Sequence, residues 1–346
     1  MKVYLLPQGG NFYKANLHVH TVISDGGLTP EEIKAAYKEK GYSVVAYTDH
    51  EAMVPHTDLS DDEFLAITAV ELATNAELTH GTYTYRETCH LNLYSKDPNR
   101  TICPVFSISR LWPAHAAQFL SEEMKSIDFT RTFTVESMNE VIAAANADGF
   151  LVSYNHPVWS LNHYPFYSGL KGVWGVECYN TGCVRSGYPD TVQPLDDLLC
   201  LGRKVFPLAT DDAHGPKDRM WDYFGGWVMI KADKLEYSVI MDALENGDFY
   251  ATSGPEINEL YIEDGILTVK TSPATSIFVS TERRASRSAR STDGKPLTEA
   301  TFDLKSFISD SSQKRETDPP AYFRVTVTDE NGNEAYTRPF FVEELK

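Results

Sequence analysis

Over roughly the first 250 residues, short runs of consecutive apolar positions alternate with stretches in which apolar residues recur every three to four positions. The short runs have the length and β-branched content of buried strands, and the others have helical periodicity. Ser43 to Tyr47, Phe64 to Ile67, His90 to Tyr94, Phe150 to Tyr154, Gly175 to Tyr179 and Val205 to Ala209 are the clearest predicted strands. A helix is predicted from Pro30 to Gly41, because Thr29, Pro30 and Glu32 write a capping box and Gly41 supplies a natural stop. Met138, Val141, Ile142 and Ala145 mark a second helix, and Tyr237, Ile240, Met241 and Leu244 a third that ends at Gly247. Strands alternating with helices define an α/β protein on a parallel sheet. After Ser253-Gly254-Pro255 the pattern changes to period two, with Asp264-Gly265, Asp293-Gly294 and Asn331-Gly332 as turn signals and Tyr322 to Thr328 as the clearest strand. Residues 1–255 are therefore expected to form the main α/β domain and 256–346 a small all-β domain, with 309–320 as its loop.

Composition narrows the partners. The chain has 346 residues and a net charge of -18, so its field repels phosphate backbones and anionic lipid. Duplex nucleic acid and membrane surfaces, which would need a local basic patch, are disfavoured, and the expected partner is a small, anionic substrate. The amino terminus shows no secretory signal and no apolar run long enough to span a bilayer, so the expected location is the cytoplasm. Nothing in the pattern speaks to oligomeric state. Five cysteines, an odd number without a C-x-x-C pair, argue against a disulfide framework or a cysteine zinc site. Cys89 adjoins His90, but neighbours on a strand face opposite ways, so the pair is not read as catalytic.

The chemistry concentrates in histidines and carboxylates at strand ends. Six of the ten histidines fall at or just beyond a predicted strand. Parallel strands share one carboxyl-terminal rim, where His18, His20, Asp25, Asp49, His50, Glu71, His156, Asp212 and His214 would converge, with His90 opening a strand. Two residues apart on extended backbone, His18 and His20 face one side, as do Asp212 and His214. Imidazoles and carboxylates without thiolates suit zinc, manganese or iron in a hydrolytic site. Each short motif is common by composition; their joint order along alternating strands is the signal.

Those motifs, His18-Val19-His20 through Asp25-Gly26, Thr48-Asp49-His50, Glu71, His90, Asn155-His156-Pro157 and Asp212-Ala213-His214, resemble the PHP family of polymerase and histidinol phosphatase domains. The resemblance covers about residues 12–255. It implies a distorted (β/α)7 barrel holding two to three divalent ions. One ion is implied on His18, His20, Glu71 and Asp212, a second on Glu71, His90 and His156, and a third on Asp25, His50 and His214. It also implies a phosphoesterase that uses a metal-bridging hydroxide, with Glu71, Asp212 and His214 serving catalysis as well as ligation. The appended β module, expected to be sandwich-like, resembles that of the carbaryl-hydrolase branch, which makes amide or carbamate ester hydrolysis the alternative. A non-catalytic, metal-stabilised interaction module is a third reading.

Around this set, Asp49 and Asp211 are expected to orient imidazoles. Arg185, Lys217 and Arg219 are the candidate anion clamp. The run Trp159 to Tyr167 is expected to line a pocket or pack as a lid. His56, His80, His115 and His163 are expected in exposed loops, with His80 the competitor of His90 as the ligand after Glu71.

Overall fold

A computed structural model describes residues 2–282, 285–305 and 322–345. The expected loop at 309–320 lies outside the described residues, as does the side chain of His80. In chain order the strands are β1 (Lys2–Tyr4), β2 (Asn11–Val19), β3 (Val44–Tyr47), β4 (Leu65–His80), β5 (Tyr83–Ser95), β6 (Phe150–Tyr154), β7 (Gly175–Asn180), β8 (Phe206–Thr210), β9 (Trp227–Ala232) and β10 (Phe249–Thr252). There follow β11 (Ile257–Glu263), β12 (Ile266–Ala274), β13 (Ser276–Thr281), β14 (Arg287–Arg290), β15 (Leu297–Asp303), β16 (Tyr322–Thr328), β17 (Glu334–Thr337) and β18 (Phe340–Phe341).

Strands β2 to β8 lie side by side in chain order. The helices between them form for the reasons the pattern gives. Thr29 and Glu32 exchange both bonds of the capping box at the start of the helix Pro30–Glu39. The helix Val135–Ala147 buries Met138, Val141, Ile142 and Ala145, and the helix Tyr237–Asn246 ends at Gly247 in the left-handed conformation.

The expected parallel (β/α)7 barrel is not what forms. β4 and β5 make one long antiparallel hairpin, in register from Ala69↔Tyr94 out to His80↔Tyr83. Its two-residue loop, with Gly81 at φ +62°, can only join antiparallel neighbours. β5 also pairs antiparallel with β6, so the sheet is mixed. The ring is not closed by a strand ladder: β8 meets β2 through the isolated bridge Val19↔Ala213 and two backbone bonds, His20 N to Ala213 O at 3.1 Å and Asp212 N to His18 O at 2.9 Å.

On its other side β2 pairs with β9, β9 with β10, and β10 with β17, so the sheet runs on into the carboxyl-terminal module. A second, antiparallel sheet has the order β1, β11, β12, β15, and it includes the first strand of the chain. Leu260, Leu267 and Val269 of this sheet share one core with Ile277, Val279, Val325 and Val327 of the long sheet. Asp264 and Gly265 make the β11–β12 turn with both φ values positive, as that dipeptide requires.

Candidate metal centre

The nine expected ligands are brought together by six strands. His18 sits near the end of β2 with His20 just beyond it. His50 follows β3 and bridges to Glu71. Glu71 and His90 lie inside β4 and β5 rather than at an end and a start, because the hairpin carries both strands past the site. Glu71 and Asn92 are cross-strand partners, as are Ala73 and His90. Cys89 turns into the apolar core while His90 faces the cluster, as alternation demands. His156 follows β6, and Asp212 and His214 follow β8. The loop after His20 hugs its own backbone: a Cβ on Gly26 would lie 2.3 Å from the His20 carbonyl oxygen, so only glycine fits beside Asp25.

Three groups of ligand atoms fall within 4.8 Å of one another: His18, His20, Glu71 and Asp212; His20, Asp25, His50 and His214; and His50, Glu71 and His90. The first group coincides with the implied first ion. In the second, His20 joins the three residues implied for the third ion. In the last, His50 stands where His156 was implied, although His156 Nε2 lies 3.4 Å from Glu71 Oε1 and 3.8 Å from Asp212 Oδ2.

Hydrogen bonds fix which ring nitrogens face inward. His18 Nδ1 is 2.6 Å from Glu177 Oε1, so Nδ1 donates to that carboxylate and Nε2 is the nitrogen turned inward. That Nε2 looks at His20 Nε2 at 3.2 Å, Asp212 Oδ1 at 3.1 Å and Glu71 Oε1 at 3.3 Å. His214 donates its Nδ1 proton to the Asp212 carbonyl at 2.8 Å, which leaves its Nε2 facing Asp25. Among the described residues His50 Nδ1 and Glu71 Oε2 find no hydrogen-bond partner, although they stand 3.2 Å apart. Buried acceptors pointed at one another repel unless positive charge sits between them. Without metal, protons take that place. Burial alone would lower the His20 imidazole, yet hydrogen bonds with Asp212 and Glu71 and the charge of Asp25 raise it to about 10. Burial likewise opposes ionisation of Glu71 and Asp212, but the surrounding imidazoles hold both well below the carboxylate range. His50, more weakly compensated, is pushed by burial down to about 3. The residues present therefore fit divalent ions.

The supporting layer differs from expectation. Asp49 does not orient an imidazole: its oxygens accept from Thr21 N and Oγ1 and from Ser24 N and Oγ, at 2.7 to 3.1 Å, and pin the loop after His20. Asp211 accepts from Tyr37, Thr181 and the backbone of Phe224, Gly225 and Gly226. The carboxylate that orients histidines is Glu177, which holds His18 Nδ1 and also accepts from His156 N and Asn180 Nδ2. Its signal in the sequence was an acid in the middle of the apolar run Gly175 to Tyr179. Asn155 steadies Glu71, and Asn180 also reaches Asp212.

A cleft of about 790 Å³ opens over His50 and His90, with Trp112 and Trp159 in its walls. Arg185, Lys217 and Arg219 do not line it. Arg185 instead donates to the backbone carbonyls of Trp221 and Tyr223, and Lys217 is 82% exposed. Within the run 159–167 only Trp159 and Leu161 reach the cleft; Phe166 stacks on Phe133 and Tyr167 is buried. His56 is buried against Tyr47 rather than exposed in a loop, and the backbone of His80 belongs to β4. His115 and His163 are exposed as expected.

The fold and site define a mixed α/β protein with a histidine and carboxylate cluster able to hold divalent ions. No family model and no curated protein matches the chain. Solved structures that resemble it include a two-domain protein from Bacteroides vulgatus containing a predicted PHP-like metal-dependent phosphoesterase, with 15% identity, 97% of this chain and 98% of that one covered, and a TM-score of 0.44. A chain from Bifidobacterium adolescentis, described as a metal-dependent phosphoesterase, is 18% identical over 61% of this chain and 89% of that one, with a TM-score of 0.37. An amidohydrolase from Chromobacterium violaceum with bound sulfate and no metal is 15% identical over 60% and 89%, with a TM-score of 0.32. Among the described residues no helix is long and apolar enough to cross a membrane.

Proposed function

We propose that the chain is a PHP-type metal-dependent hydrolase that cleaves a phosphoester in a small anionic substrate. One observation carries the reading: the ring nitrogens of His18, His20, His50 and His214 and the oxygens of Asp25, Glu71 and Asp212 converge, and His50 Nδ1 and Glu71 Oε2 among them have no hydrogen-bond partner. Divalent ions held there would supply Lewis-acid charge and would lower the pKa of a water from 15.7 to about 7. Glu177 and the Asp212 carbonyl keep the His18 and His214 rings turned to the centre. Asp212 would accept the proton of the attacking water and return it to the leaving alkoxide, while Glu71 and His214, the latter a third exposed, would act through their places in the ligand groups. Trp112 and Trp159 beside the cluster suit an aryl group, which also favours carbamate ester or amide cleavage by the same site as a second reading.

The test is a chelator-stripped chain reloaded with Mn²⁺ or Zn²⁺ and assayed on aryl phosphates, nucleotides and aryl carbamates. Phosphate ester turnover that falls about 100-fold or more in His156→Ala is expected, as for loss of a ligand or its support. Turnover of carbamates alone selects the second reading. Unchanged turnover in His156→Ala with a lower melting temperature contradicts catalysis at this site.

A further inference from the structure

The hairpin β4–β5 continues past the cluster as a track. Side chains on one face of a strand repeat every second residue. The face that carries Glu71 and His90 therefore also carries Ala73, Asn75, Thr88 and Arg86, and all four line the cleft. The first three are small or short, which leaves open space above them, and the next cross-strand pair on the face is Arg86 opposite Glu77. Four residues of strand separate Arg86 from His90, about 13 Å at 3.3 Å per residue.

Arg110 lines the same cleft. The chain has 49 acidic residues against 31 Lys and Arg. Even so, among the described residues neither Arg86 nor Arg110 forms an ion pair; Arg110 donates only to the Arg131 carbonyl, at 2.6 Å. Glu77 stands opposite Arg86 in the β4–β5 register and Glu51 and Asp128 lie within electrostatic reach of Arg110, yet neither guanidinium is closed into an ion pair, so both keep N–H donors for an outside oxyanion. The walls are aromatic and uncovered. Trp159 is 39% exposed and stands 5.6 Å from the His90 ring, and Trp112 is 59% exposed and 6.4 Å from the His50 ring. Tyr188 and Leu161 complete the apolar surface of the cleft. Large apolar side chains left in water around one cleft mark a surface that a ligand covers.

We propose that this cleft is the specificity site of the hydrolase, selecting substrates with a flat aromatic body between Trp112 and Trp159. The substrate carries a second, non-reacting oxyanion, held by Arg86 and Arg110 at the far end from the scissile ester. The proposal rests on the hydrolase reading for the reacting end, while the aromatic slot and the distal anion stand on the cleft itself.

The test compares 6-carboxy-2-naphthyl phosphate with 2-naphthyl phosphate on the Mn²⁺-loaded chain. Calorimetric binding of (6-carboxy-2-naphthyl)methylphosphonate, which cannot turn over, is measured in parallel on loaded and chelator-treated chain. The wild type is expected to prefer the carboxylated ester. Arg86→Gln, an exposed position that leaves the core intact, should lower its kcat/KM about tenfold through KM and weaken phosphonate binding by a similar factor, the size of one charge-assisted contact. Turnover of 2-naphthyl phosphate should stay within about twofold, since that ester has no group for Arg86 to hold. Trp112→Ala should weaken both esters. Equal handling of the two esters by the wild type, or equal losses on both in Arg86→Gln, overturns the proposal. If neither ester is cleaved, the phosphoester reading fails separately, and phosphonate binding that ignores Arg86→Gln overturns the distal site on its own.

Discussion

His18 shows how a single hydrogen bond sets the chemistry of the cluster: because Glu177 accepts from its Nδ1–H, Nε2 is the nitrogen turned inward. Glu177→Gln replaces an acceptor-only carboxylate with a group that can donate and relaxes that choice. Metal affinity should fall about 10- to 100-fold, as for other partners of ligand histidines. Competition against a chelator of known affinity measures it, and unchanged affinity with an intact circular dichroism spectrum would remove Glu177 from the account. Asp211 makes the contrasting case of an acid with a structural task. Asp211→Asn turns a donor toward groups that already donate, from Tyr37, Thr181 and three backbone amides. A loss of about 2–3 kcal/mol in urea denaturation is expected, the cost of stranding buried donors. Two expected ligands, His156 at φ 26° and Asp212 at φ 55°, adopt backbone conformations that non-glycine residues rarely hold. Sequence reasoning singled out the residues that cluster by type and order, since ligand chemistry is written in side-chain identity. It placed Asp49 and Asp211 on the wrong partners because adjacency to a ligand does not reveal which way a carboxylate turns. Arg86 and Arg110 went unseen because only the fold brings them beside the cluster.

Among elements, the β4–β5 hairpin separates what the pattern could say from what it could not. The capping box at Thr29, the helix over Met138 to Ala145 and the β6 and β8 strands were legible because caps and periodicity are local. β4 and β5 were read as two short parallel strands. Their outer halves, residues 74–80 and 83–89, carry polar residues such as Asn75, Arg86 and Thr88 on the face that floors the cleft, which weakens the apolar signal. Strand direction depends on the Gly81 turn and on pairing between distant residues, and neither is written in periodicity. The antiparallel β5 is also what sets His90 beside Ala73 and lets one face run from ligands to Arg86.

On the scale of the whole molecule, the sheet that carries the cluster passes through β10 and β17 into the carboxyl-terminal module. Composition marked where the style of the sequence changes near residue 255, but not that β1 would join β11 across it. Arg324 on β16 grips Asp196 of the helix Gln193–Cys200 with two bonds, at 2.8 and 2.7 Å. Arg324 is buried and Asp196 is partly exposed, so Arg324→Ala should cost about 2 kcal/mol, less than for a fully buried pair. Differential scanning calorimetry should show the loss as a lower or split transition, and an unchanged trace would show that this pair does not tie module to main sheet. The central claim, that convergent acceptors on or just after six strands form a multinuclear metal centre, has a direct measurement. The chain is reloaded with Mn²⁺ or Zn²⁺, dialysed against metal-free buffer and analysed for metal per chain by inductively coupled plasma mass spectrometry. Two to three ions per chain are expected, falling in His18→Ala; fewer than one tightly held ion in the wild-type chain would contradict the account.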